Sequence, residues 1–487
     1  MIAWTIYLTF GGALVALLAP GVLARWTALV TTAAGFVLSL LALIDIVDAG
    51  VFQTITRREW VPLLGMQYHL AADGISLTLC LVTGLTAFCA VLFSWDVERR
   101  PNEFFFSLLL VVTGSYGVFL SADLFLFFVF YEVVIVPKYF LIAIWGSTNR
   151  EYGAMKLTLY SFLGGALVMI GLIAIYATAG KESVATALDL QELARFPIAA
   201  DVQAWVFPVL FLGFAILGGV WPLHTWAPTG HVAAPTAGSM LLAGIVMKLG
   251  AYGALRVAMN LLPAGFQLWR DWIVVAAVIG ILYAAAVALR QRDLKFVIGY
   301  SSVSHMGFVL LGLASATALG AGGAVLQMFS HGVIGALLFA IAGMVYRRTH
   351  TRDIDALSGM ALNRTLPFAA FAFVIASAAS MGIPGFSGFA AEITILIGTW
   401  KNYPHAVWIT GIGMVLVAAF TLRALKTAFF GDAIPSGEGN ATLAPITVPE
   451  KVGAGLLMFS TLAIGIYPKF LLDRIMPAVE AMAFLKP

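Results

Sequence analysis

Residues 203–258 read QAWVFPVLFLGFAILGGVWPLHTWAPTGHVAAPTAGSMLLAGIVMKLGAYGALRVA. Two apolar runs, 203–224 and 234–258, are each long enough to cross a hydrocarbon core about 30 Å thick, which takes about 20 apolar residues per helix. Between them lies WPLHTWAPTGH (221–231), with Pro222 and Pro228 among polar and small residues. The first run is therefore read as a broken helix. Open backbone at membrane depth is tolerated only where it is buried in protein or lines a wet cavity. The second run carries Lys248 far from either end, where an amine needs a partner or a reason to be there.

The rest of the chain follows this pattern. Of 487 residues, 61% are hydrophobic and 10% charged, and the mean hydropathy is +0.97. A soluble domain carries roughly 25% charged residues, so the fold class is an all-α polytopic membrane protein whose main solvent is lipid. No block of Lys and Arg exists to neutralise phosphates, which excludes nucleic acid as a partner. Apolar runs near 3–21, 26–48, 73–94, 104–120, 122–146, 155–178, 203–224, 234–258, 272–290, 294–315, 321–345, 366–400, 405–428 and 452–474 predict about 14 transmembrane helices. The seventh and twelfth are broken, the twelfth by Gly382, Pro384 and Gly385. Each broken helix is fourth in a block of five, 104–258 and 272–428. Five is odd, so the second block starts on the opposite side of the membrane, the arrangement of an inverted repeat. The reading is a single membrane domain, 1–487, with three N-terminal helices in 1–103, the two repeats, and a C-terminal helix in 452–487. The long loops 49–72, 179–202 and 429–451 are read as short connectors.

With both termini outside, the inner loops hold fifteen Lys and Arg against seven in the outer loops, which supports this orientation in a bacterial inner (cytoplasmic) membrane. The first apolar run has no basic region before it and is read as a retained helix rather than a cleaved signal. Cys80 and Cys89 share one apolar run and are read as small apolar side chains, with no disulfide framework and no metal spacing.

Five ionisable residues do not belong in such helices: Glu132, Lys248, His305, His331 and Glu392. At 1.5 Å per residue each lies on the order of 12–20 Å from a helix end, too deep to snorkel. A lone His in this position is often a hydrogen-bonded packing residue, and a lone Glu can sit protonated. Five at one depth form a row, and carboxylate, amine and imidazole can each carry a proton. Nothing else suggests a substrate site, so the partners read from the chain are lipid, protons and water.

The residues also resemble a known family. The stretches FLFFVFYEVVIVPKYFLIAIWG (125–146), PLHTWAPTGHVAAPTAGSMLLAGIVMKLGAYGALR (222–256), RDLKFVIGYSSVSHMGFVLLG (292–312), LQMFSHGVIGALLFAIAGMVYRRTHTRD (326–353) and GIPGFSGFAAEITILIG (382–398) are similar, in order, to the antiporter-like subunits of respiratory complex I. They are most similar to subunit M, the counterpart of mitochondrial subunit 4. The related subunit L has a long lateral helix at its C-terminus, and this chain has no residues after about 481 to make one. The resemblance implies a proton-pumping membrane-arm subunit of an NADH–quinone oxidoreductase with fourteen helices in two inverted five-helix repeats. It implies that Glu132, Lys248, His305, His331 and Glu392 carry the protons and that other membrane-arm subunits are neighbours. NADH, FMN, the iron–sulfur clusters and quinone are expected on partner subunits, with no cofactor in this chain. Two alternatives stay open: a subunit of a cation/proton antiporter complex of the same fold, and a scaffold copy that does not pump. The second arises because the family carries a lysine where this chain has Leu217. Lys138, after Pro137, is the other departure. It is read either as a snorkelling interface residue or as the replacement partner of Glu132. The family's Asp after the helix-7 proline is Thr229 here.

Overall fold

The computed structural model describes residues 1–431 and 443–486. Eleven of its helices are long and apolar enough to span a membrane. They include α2 (Gly21–Asp45), α3 (Gly74–Leu92), α4 (Pro101–Leu120), α5 (Leu124–Trp145), α6 (Arg150–Ala179) and α7a (Ala200–Gly218), followed by a separate short α7b (Trp226–Ala233). Then come α8 (Thr236–Met259), α9 (Pro263–Arg290), α10 (Leu294–Ala314), α11 (Ala318–Thr349) and α13 (Pro404–Phe429). The shorter α1 (Trp4–Leu18), the divided α12a (Pro367–Ser380) and α12b (Ser387–Trp400), and α14 (Val448–Ile466) complete a set compatible with fourteen segments. The N-terminal spans sit a few residues from the predicted places: α1 ends at Leu18 and α2 already starts at Gly21.

Both predicted breaks are present, and each turns on a left-handed glycine. Gly219 (φ +67°) ends α7a and Gly382 (φ +68°) follows α12a, a conformation only glycine adopts without strain. Two features were not anticipated, and a third lies at Pro137. Residues 49–72 are not a plain connector: β1 (Gln53–Val61) and β2 (Met66–Ala72) form an antiparallel hairpin turned at Pro62–Gly65. Residues after 466 bend by 70° into the amphipathic Lys469–Glu480, so the last span ends earlier than 474. α5 is interrupted at Val134. Pro137 has no N–H to offer Val133 O and crowds that carbonyl, which accounts for the interruption.

The loop contacts sort onto two faces. On one, Arg474 donates to Leu43 O (3.0 Å), Asn260 Oδ1 accepts from Ala483 N (2.8 Å), and the hairpin's His69 meets Asp189 (3.0 Å). On the other, Arg347 pairs with Asp96 (2.5 Å) and Arg348 with Glu450 (2.7 Å). There too Arg352 pairs with Asp293 (3.0 Å) and donates to Val232 O (3.0 Å), while Lys295 donates to Ala234 O (2.8 Å). These last two cations hold the carbonyl end of α7b, where positive charge is favoured.

One local motif occurs twice. Leu124 N donates to Leu188 O and Leu190 N to Ala122 O, both 2.8 Å, beside the α5 cap Asp123. Leu294 N donates to Arg352 O (2.9 Å) and Ile354 N to Arg292 O (2.8 Å), beside the α10 cap Asp293. The first bridge lies on the face of the hairpin, the second on the face of Arg352. Asp123 and Asp293 stand 170 residues apart, and the same offset superposes Gly165-Ala166-Leu167 on Gly335-Ala336-Leu337 and Tyr176 on Tyr346. π-helical turns also close α8 (Ala254–Met259) and α13 (Leu425–Phe429).

Candidate proton-carrying row

Lys248 lies between two π-helical turns of α8, Leu242–Val246 and Ala254–Met259. A π turn leaves a carbonyl free of its usual i+4 partner and marks functional places in helices. The Lys248 ammonium reaches back to Ala243 O inside the first of these turns. Its other partner is His331 Nδ1, 2.7 Å away on α11. The two helices come this close because Gly244 and Gly332 face each other: a Cβ on Gly332 would stand 2.9 Å from Gly244 O. Lys248 is fully enclosed and His331 is 3% exposed.

The row continues across α11 and α10. The His331 and His305 rings stack with centroids 5.3 Å apart and an interplanar angle of 25°. His305 Nε2 lies 3.1 Å from Ser380 O at the end of α12a and 3.7 Å from Glu392 Oε1 on α12b. His305 Nδ1 lies 2.8 Å from Ser301 O and 3.3 Å from Ser301 Oγ. A neutral imidazole carries one N–H and an imidazolium two. Both forms have partners here. The charged ring donates to Ser301 O and Ser380 O; the neutral ring donates to Ser380 O and accepts from Ser301 Oγ. A ring served in both states can take up and release a proton without leaving a buried polar atom unpaired. Glu392 packs against the glycine that breaks the twelfth span, since a Cβ on Gly382 would lie 2.6 Å from Oε2. The broken segment thus supplies one carbonyl to His305 and the space for Glu392.

Lys248, His331, His305 and Glu392 are therefore brought together, in that order, across four helices. Glu132 is not in contact with them. It sits on α5 with its carboxylate turned to α6, where a Cβ on Gly165 would lie 2.2 Å from Oε1, an oxygen that is buried and has no hydrogen-bond partner. Ser161, one turn before Gly165, is also buried with an unpartnered hydroxyl. Lys138 is 2% exposed, which removes the snorkelling reading, and among the described residues it makes no ion pair. Leu217 is 1% exposed. Thr229 accepts from Lys156 Nζ at 3.4 Å and donates to Thr225 O at 3.0 Å. Sequence reasoning missed the backbone members of the row, the carbonyls of Ala243, Ser301 and Ser380. A π turn depends on hydrogen-bond register and leaves no residue signature. The Ser380 carbonyl had a signal in the glycine–proline break that follows it.

The family described as "NADH:quinone oxidoreductase/Mrp antiporter, TM" matches residues 121–418, which hold every member of the row. The chain is 36% identical over 465 residues to NADH-quinone oxidoreductase subunit M of Rhodobacter capsulatus, covering 94% of this chain and 90% of the relative. It is 39% identical over 459 residues to an NAD(P)H-quinone oxidoreductase chain 4 of Synechococcus elongatus, covering 91% and 84%. Among solved structures, a chain of respiratory complex I from Thermus thermophilus with bound NADH superposes with TM-score 0.91 at 27% identity, all of both chains being covered. A chain of the Mrp complex from Dietzia sp. has TM-score 0.85 at 20% identity, covering 99% and 96%, a likeness of fold alone. A match over more than half the chain, together with relatives this similar over nearly its whole length, means that the protein belongs to the subunit M family of antiporter-like membrane subunits of complex I.

Proposed function

We propose that this chain is a proton-translocating membrane-arm subunit of a complex I-type NADH–quinone oxidoreductase, and that its protons move along Glu132, Lys248, His331, His305 and Glu392. The single observation that carries the reading is the unbroken sequence of contacts from Lys248 through His331 and His305 to Glu392 inside a lipid-embedded fold. Four ionisable groups in mutual reach at mid-membrane are costly to insert and are kept for a task. Glu132 loads the proton. Lys248 passes it to His331 Nδ1, the stacked rings carry it across α11 and α10, and Glu392 delivers it toward the outer side. The electrons come from NADH through flavin, iron–sulfur clusters and quinone held by partner subunits, while this chain contributes no cofactor site. Its neighbours in the membrane arm are other antiporter-like subunits. Both termini lie on the outer side of a bacterial inner membrane, and the two five-helix blocks are inverted repeats, for which the paired Asp123 and Asp293 bridges on opposite faces are the support.

The experiment is proton uptake driven by NADH oxidation in vesicles carrying the assembled complex. Glu132→Ala should abolish or greatly reduce uptake, and slow the coupled electron transfer, while assembly is unchanged. Normal pumping in an assembled Glu132→Ala complex overturns the reading.

A further inference from the structure

Among the described residues, Lys138 is a buried cation whose ammonium has no polar partner and which the row leaves unused. Lys138 is 2% exposed, and its buried ammonium has neither an ion pair nor a hydrogen-bond acceptor among the described residues. Such a group is expensive to bury, and a methionine of the same length would pack there at lower cost. A purely structural role does not account for a lysine at this position.

Its surroundings say where it leads. Lys138 borders a cavity of about 10 Å³ between α5, α4 and α8, with Val111, Leu141 and, on α8, Gly238, Leu242 and Val246. That is about the space one water centre needs. Leu242 and Val246 are the first and last residues of the π turn whose Ala243 carbonyl holds Lys248. On the other side of α5 lies Glu132, facing Gly165 of α6. The interruption at Val134 lies between Glu132 and Lys138.

The two halves of the molecule explain why a carrier is needed there. The 170-residue offset that relates Asp123 to Asp293 puts Ser161 where His331 stands in the second half. His331 touches Lys248; Ser161 faces the Glu132 side and cannot take a proton to become a cation. Between α6 and α8, α7a carries no ionisable residue after Asp201 and holds the buried Leu217 near its end. We propose that Lys138 is the proton carrier between Glu132 and Lys248. The neutral Lys138 amine takes the carboxyl proton of Glu132, leaving a carboxylate and an ammonium as a transient pair. The ammonium then swings to the α8 side and gives its proton, through one water in the cavity, to the neutral Lys248 amine. Lys138 returns as an amine, and Glu132 reloads. This rests on the row proposed above.

The test uses the assembled complex in vesicles with three variants. Lys138→Met should fold and assemble, because the cavity is apolar, and its pumping should fall by about 10²-fold, the ordinary worth of a positioned proton donor. Lys138→Arg keeps the charge but cannot release a proton, and should be equally impaired. Infrared difference spectra should show the Glu132 carboxyl held protonated in Lys138→Met, a signature that a packing defect would not produce. Wild-type pumping in Lys138→Met or in Lys138→Arg overturns the proposal. If Glu132→Gln abolishes pumping in that same series, the row survives and only the carrier is lost. If Glu132→Gln also pumps normally, the row itself has failed.

Discussion

Gly165→Ala separates the chemistry of the row from the stability of the fold. A Cβ at residue 165 would stand 2.2 Å from Glu132 Oε1 and 3.2 Å from Cδ. A carbon accepts an oxygen at about 3.3 Å, so the carboxylate must withdraw by about 1 Å. It is the free end of a side chain, so this displacement costs the fold little. Residue 165 also lies inside α6, where alanine is favoured over glycine by about 0.5–1 kcal/mol. The variant should therefore assemble at least as well as the parent, with an equal or higher melting temperature. A reacting group displaced by 1 Å can lose about 10²-fold in rate, and proton uptake per vesicle should fall toward that extent. The assay is fluorescence quenching of a pH-sensitive dye on NADH addition, beside thermal unfolding of the same preparation. Undiminished pumping in a fully assembled Gly165→Ala complex would refute the claim that the Glu132 carboxylate acts from where it lies.

Four further outcomes follow from the geometry. His331→Phe keeps a ring against His305 but takes away the nitrogen 2.7 Å from Lys248, and should stop pumping without loss of assembly, read by dye quenching and native gel. Glu392→Gln should leave His305 with its two carbonyl partners yet block release to the outer side; pumping at the parental rate would exclude Glu392 from the row. Leu217→Lys in a Lys138→Met background should regain proton uptake, because Leu217 directly follows Ile216, whose side chain stands against Gly164 beside the Glu132 carboxylate. Asp189→Asn tests the hairpin. Burial alone would raise this carboxyl, but the hydrogen bond and charge of His69, with Arg57, hold it below the usual carboxylate range. A depressed carboxyl adds stability above its unfolded pKa, near 3.9, and loses it as pH falls through the folded value. Asp189→Asn should thus cost about 2 kcal/mol at neutral pH, and the difference in melting temperature should shrink below about pH 4.

Much of this was legible in the chain. Gly382 and Pro384 announced the break in the twelfth span, and Pro222 the one in the seventh, because glycine and proline act on the backbone directly. Glu132, Lys248, His305, His331 and Glu392 stood out because lipid makes any ionisable side chain conspicuous. What the chain withheld depends on tertiary packing. Met66, Tyr68 and Leu70 alternate with polar residues after a Pro62–Gly65 turn, but a short hairpin among fourteen apolar runs reads as a connector. The π turn before Lys248 contains Gly244 where it approaches Gly332, a relation between helices that neither helix declares. Six residues separate Glu132 from Lys138, which on an ideal helix puts them on different faces. The structure keeps them there, one toward α6 and one toward α8.

The most direct test of the row is the proton-to-electron ratio of an assembled complex carrying Lys248→Met, measured in sealed vesicles. Lys248 joins the π turn of α8 to His331. The account predicts that proton translocation through this subunit is lost and the ratio falls. A Lys248→Met complex that assembles and pumps with the parental ratio would contradict it.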